Sequence, residues 1–263
     1  MTDLSQSPSD AEPMSIERYL EAGGVLTSPE NVPPRYRAEL MRLMATFVDS
    51  ELAGAAGFAD VINKGPGVKE RIAAAKIVLE KTDHAEKVLT VMGGFGADIE
   101  RYANHHPWTE RLSREADIGA SRSSTDMRLA VFNYPLEGWA DAVVMNLLMG
   151  RAVVAQLSDY RHVSYQPLAE AFRAIAPAET RHAELAEEGV AKMLRKGTDP
   201  AELNALVAYW WPRVAVSFGR AVSPRAPMLM RYGLRRRSNG ELLAHWQADA
   251  GDILTRLGLA RPD

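Results

Sequence analysis

The sequence predicts an all-α fold, a bundle of long helices, and three observations carry that expectation. Ala, Leu, Glu, Arg and Met dominate long segments in which apolar residues recur at spacings of three and four. Runs of β-branched residues alternating with period two are scarce. The breaker clusters KGPG (64–67) and GGFG (93–96) punctuate the periodic segments rather than interrupt them.

Taken in order, residues 1–33 begin with the polar, acidic stretch MTDLSQSPSDAEP, which lacks the charged start and apolar run of a secretory signal. They are expected to form a disordered tail, and the chain to be cytoplasmic. One helical domain is expected over 34–263, with helices at about 35–62, 67–94, 97–105, 135–160, 165–195, 199–219 and 239–257. The Ser- and Arg-rich stretch ADIGASRSSTDMRLAVFNYP (116–135) forms the longest irregular connection and crosses between two helix pairs. Pro177 removes a backbone donor inside the fourth long helix and is expected to bend or open it.

The 263 residues suffice for a sizeable core, and a net charge of −3 provides no global basic field for nucleic acid. The absence of cysteine excludes disulfides, thiolate metal sites and cysteine nucleophiles. The apolar stretch AVVMNLLMG (142–150), bounded by Asp141 and Arg151, is shorter than the roughly 20 residues of a membrane span.

Charged residues interrupt four apolar stripes. On the first long helix Glu51 is the sole charge in the series Leu40, Met44, Phe47, Glu51, Ala55, Phe58. On the second, Lys81 and His84 share a stripe with Ile77, Val88 and Val91, while Glu80 falls with Lys76, Asp83 and Lys87 on a face of i,i+4 ion pairs. Asp141 leads the third stripe, and Glu179 and His182 interrupt the fourth. Unpaired buried charge is too costly to persist, so the six are expected to converge in one bundle. One carboxylate from each of two helices and Glu-x-x-His from each of two others is the ferritin-like di-iron carboxylate arrangement. Four carboxylates, about −4 in charge, neutralise two divalent irons, and imidazoles complete the ligation.

FNYPLEGWAD (132–141), SYQPLAEAF (164–172), ETRH (179–182), YWWPRVAVSFG (209–219) and the RRRSNGELL to LGLARPD ending resemble the catalytic subunits of the ring-1,2-phenylacetyl-CoA epoxidase family, those of the A type. The similarity runs in order from about residue 35 onward. It implies a ferritin-like four-helix bundle with additional C-terminal helices, a related non-catalytic partner subunit or a homo-oligomer, a separate reductase, and an aryl-CoA or other acyl-CoA substrate. It also implies that Glu51, Asp141, Glu179, His84 and His182 are the metal ligands, with Lys81 at the family's remaining glutamate. The family's catalytic subunits continue beyond the RPD ending, so substrate enclosure is expected to differ.

Lysine at a bridging carboxylate changes the centre from about −4 to about −2, which suits at most one iron per chain. Two readings follow. One is an oxygenase component whose altered centre uses Glu51, Lys81, Asp141 and Glu179, with Arg122, Arg128, Arg235, Arg236 and Arg237 meeting CoA phosphates. The other is a metal-free structural or substrate-binding member of the family. Aromatic YWWP is expected to supply an interface.

Overall fold

A computed structural model describes residues 14–104, 106–121 and 126–262. The described residues form nine α-helices and no β-sheet: α1 (Ile16–Glu21), α2 (Pro34–Val61), α3 (Val68–Gly93), α4 (Ile99–Asn104), α5 (Trp139–Tyr160), α6 (Gln166–Arg195), α7 (Pro200–Ala215), α8 (Ala226–Arg231) and α9 (Asn239–Arg256). Local chemistry sets several ends. The ring of Pro34 pre-organises the first turn of α2. Asp199 caps α7 by accepting from the Ala201 N–H, and Ser238 and Glu241 close a reciprocal capping box on α9. The helix expected over 199–219 ends in a 3₁₀ turn, Val216–Phe218. Helix α6 runs through Pro177 without ending there, and proline at that position supplies no backbone donor.

Short connections make α2–α3 and α5–α6 two helical hairpins, and α3 lies against α6 to join them. Helix α5 is also covered by α7 and α9. By length and composition α5 would pass for a membrane span, contrary to the expectation from its shorter apolar core. Most of it is buried inside the bundle, as befits the helix on which α6, α7 and α9 all pack.

Two apolar clusters fill the bundle. One gathers Leu40, Met44, Val48, Val88, Leu168, Phe172 and Ile175. The other gathers Leu147, Leu148, Val190, Trp210, Trp246 and Leu254 around α5. The charged stripe residues lie where these clusters give way to each other: on α2 between Val48 and Ala53, on α6 between Ile175 and Ala186.

Two expectations are corrected. The tail does not extend to residue 33: Leu26 is buried, its amide donates to the Ser164 carbonyl, and its carbonyl accepts from the Gln166 amide. Burial of the apolar side chains of Leu26 and Val32 seats this segment against the start of α6. The YWWP tryptophans are core, not interface. Trp211 packs on Trp246 at 4.5 Å, and Trp210 is fully buried.

Candidate metal centre

Four of the stripe residues meet at one point. Lys81 projects from α3 between the carboxylates of α2 and α6, its Nζ donating to Glu51 at 3.2 and 3.4 Å and to Glu179 at 3.1 and 3.3 Å. One turn along α3, His84 Nδ1 lies 3.0 Å from Glu179 Oε1 and 3.4 Å from Glu51 Oε2. All four side chains are buried. His182 stands beside them, its ring 6.0 Å from that of His84. Its Nε2 is 2.6 Å from Glu80 Oε2, while its Nδ1 lies 3.3 Å from Glu179 Oε1 without hydrogen-bond alignment.

The electrostatics follow from burial and contact. Burial alone would discharge Lys81, but the Glu179 and Glu51 carboxylates outweigh it and hold the ammonium above its ordinary pKa. Burial likewise opposes a charged His84, and hydrogen bonds to Glu179 and Glu51 override it, pushing the imidazole up to about 9. Burial would raise Glu179, yet it is held well below the usual carboxylate range because the attraction of Lys81 and the histidines exceeds that penalty. Two carboxylates thus face one ammonium and one imidazolium, and the cluster is electrically closed.

Such a set does not fit a pair of irons. Glu51, His84 and Glu179 can bring one ligand atom each within 4.8 Å of one another, a grouping able to hold one ion. The Lys81 ammonium, within 3.4 Å of all four carboxylate oxygens, already fills the role of the cation. Helix α5 adds no carboxylate: the residues it contributes to the pocket that Lys81 also lines are Met145, Asn146, Met149, Gly150 and Val153. At Gly150 a Cβ would stand 3.2 Å from the backbone Cα of Ala183, so α5 and α6 approach too closely there for an acid.

Asp141 is therefore a correction. It lies at the start of α5, accepting from Arg114 at 2.8 and 2.9 Å, from the Trp210 indole at 2.6 Å and from the Glu137 amide at 2.9 Å. With its oxygens used this way it is not part of the cluster. Glu80 keeps the expected i,i+4 pair with Lys76, at 3.5 Å, and is corrected only in reach: it is half-buried, and its other carboxylate oxygen is tied to His182 beside the centre. Sequence periodicity could not find Arg114, which lies in the non-helical stretch between α4 and α5, or Asn146, whose amide donates to the His182 carbonyl at 3.3 Å.

The arginines divide. Arg128 is corrected outright: at 2% exposure it is an internal strut, held by Asp126 and by the carbonyls of Pro107, Trp108 and Glu110. Arg122 lies outside the described residues. Arg236 is exposed and its amide donates to Asp159, whereas the Arg237 guanidinium is spent on Asp159 and Ser158. The Arg235 guanidinium lies over the Tyr160 ring, 4.5 Å from its centroid.

Comparison with known proteins agrees with this architecture. The chain is 24% identical over 238 residues to the A-type subunit of 1,2-phenylacetyl-CoA epoxidase from Escherichia coli (strain K12), covering 88% of this chain and 71% of that protein. The pattern that defines the phenylacetic acid catabolic proteins matches residues 14–263, which takes in the packed segment before α2 as well as every helix of the bundle. With that match running through nearly all of its length, the chain belongs to the phenylacetic acid catabolic protein family.

Proposed function

We propose that this chain is a metal-free, non-oxygenating member of its family, acting as a structural or acyl-CoA-binding partner of a related subunit. One observation carries the reading: a buried ammonium bonded to both remaining carboxylates, with His84 completing a neutral set. Displacing Lys81 with a divalent ion would leave that ammonium buried without its partners, and α5 offers no acid in compensation. Lys81 and His84 would then do for the bundle what iron does in the ferritin-like arrangement, holding α2, α3 and α6 together through opposite charge. Partnership is supported by the relative's designation as one subunit of an enzyme, and acyl-CoA by the phenylacetyl-CoA in its name. The exposed Val68, Ile72 and Leu79, on one side of α3, are a surface that a related subunit would cover.

The second reading, an oxygenase component fed by a reductase and using one iron, rests on the Glu51, His84 and Glu179 grouping. Elemental analysis of protein from iron-supplemented cells separates the two. Wild type is expected to hold far less than one iron per chain, and Lys81→Glu, which removes the ammonium and adds a carboxylate, to take up about one or more. Stoichiometric iron in the wild type, with dioxygen consumed when a reductant is supplied, would sink the metal-free reading.

A further inference from the structure

The turn between α5 and α6 and the stretch that follows α8 form a basic pole at the surface. Residues 220–238 hold six arginines and no acid, in a chain whose net charge is −3. A broad depression of about 450 Å³ opens at this pole, lined by His162, Met230, Gly233, Arg235 and Arg236. Arg161 and Arg173 stand beside it: Arg161 Nε donates to His162 Nε2 at 3.2 Å, and Arg173 donates to the Arg161 carbonyl at 3.0 Å. Arg161, His162, Arg173 and Arg236 are exposed, and none forms an ion pair with a carboxylate among the described residues. Asp159, the acid beside His162, is buried and spent on the Arg237 guanidinium and the Arg236 amide.

Helix chemistry accounts for part of this charge. Arg161 caps α5 and, with His162, sits at the negative end of its dipole. Arg173 and Arg236 belong to other segments, yet they act on the same imidazole. Partial loss of hydration and, after it, the charges of Arg236, Arg161 and Arg173 hold His162 below its ordinary pKa. Like charges gathered on one face repel one another and oppose the fold that carries them. An anionic partner would turn that repulsion into attraction.

We propose that this pole is a docking surface for an acidic segment of a partner protein, whose carboxylates meet Arg161, His162, Arg173 and Arg236. The four cations are exposed and come from the end of α5, from α6 and from the connection between α8 and α9, so their charge is spread over a face. Several carboxylates carried along one chain match that spread better than a single compact anion, and the guanidinium fork pairs with each. Met230, 38% exposed, adds an apolar contact inside the depression. Such docking rests on the partnership in the proposed function but not on the metal-free centre. Iron in the wild type would leave it standing, and failure to bind an acidic peptide would leave the iron content unexplained by it.

Calorimetric titration of the full chain at low salt with an acetylated octapeptide of alternating glutamate and glycine tests it. The glutamine counterpart, ADP and phosphatidylglycerol vesicles are titrated alongside. One glutamate peptide per chain is expected, with affinity falling as salt rises and the other three bound more weakly. Arg161→Gln and Arg173→Gln should each raise the Kd by about two- to fivefold, and the double variant by about tenfold. Arg195→Gln, an exposed arginine at the far end of α6, should bind as wild type. Carboxylates beside His162 favour its charged form, so the wild type should bind about threefold or more tightly at about pH 6 than at about pH 8. His162→Gln should lose that dependence and keep the sensitivity to salt, a split that a purely structural cluster would not give. No saturable binding, a glutamine peptide bound as tightly, ADP or vesicles bound more tightly, equal loss in the Arg195 variant, or a wild-type affinity independent of pH would each overturn the assignment.

Discussion

The ion-pair centre and the cleft that four arginines line between α2, the end of α5 and α8 are both concentrations of charge in a largely apolar bundle, yet they are built on opposite terms. At the centre, Lys81, His84, Glu51 and Glu179 satisfy one another, and the sum of charge is zero. In the cleft, positive charge exceeds negative, and Arg235 and Ser217 each keep a buried atom without a partner. A buried polar set that is complete holds helices together and has no need of a ligand. An incomplete one stores a cost. Among the residues that resemble a catalytic site, Lys81, His84, Glu51 and Glu179 are thus mutually satisfied, whereas His182 keeps its Nδ1 without a hydrogen-bond partner.

The comparison breaks first at Lys81. Lys81→Met leaves Glu51 and Glu179 buried without their ammonium and should cost about 3–5 kcal/mol in urea unfolding. A variant as stable as wild type would mean that the centre is not a closed network. The pH dependence should come next in size. The folded value of His84, about 9, lies above the 6.5 of a free imidazole, so its contribution to stability is complete below pH 6.5 and is lost as pH rises through 9. Stability from urea unfolding between pH 6 and 10 should therefore fall, by up to about 3 kcal/mol, and His84→Gln should flatten that slope.

Asp141→Asn sharpens the contrast from a second satisfied cluster. It weakens the Arg114 and Trp210 contacts and should cost about 1–3 kcal/mol. Because Asp141 shares no partner with Lys81, combining it with Lys81→Met should give costs that add to within about 0.5 kcal/mol. Strong coupling would place Asp141 in the centre after all. The smallest effect is expected in the cleft. Ser217→Ala should change stability by less than about 0.5 kcal/mol, and a large loss in thermal unfolding would show that the hydroxyl is already satisfied.

Legibility followed the range of the interaction. The fold class and the extents of the long helices were readable because helical periodicity is local, and so was the inward placement of Lys81 over Glu80, since residues three and four apart share a face whatever the helix meets. The same local rule put Glu51, His84, Glu179 and His182 on interior stripes, where the structure has them buried. Asp141 also sits on an interior face, but its partners do not follow from that.

What each face meets was decided only in three dimensions. Arg114 reaches Asp141 across 27 residues, Lys81 reaches Glu179 across 98, and His182 reaches Glu80 across 102. Such pairings depend on how far each helix is rotated and shifted along its neighbour and on the route of the connection between 94 and 138, none of which a local pattern encodes. The cleft was invisible for the same reason: Arg42, Ser217 and Arg235 come from separate elements, and whether a polar atom lacks a partner is known only when every neighbour is in place. By itself the sequence determined which faces of the long helices would turn inward. The tertiary structure decided which of them would be satisfied, because hydrogen bonding and ion pairing require atoms within about 3 Å and periodicity fixes only direction.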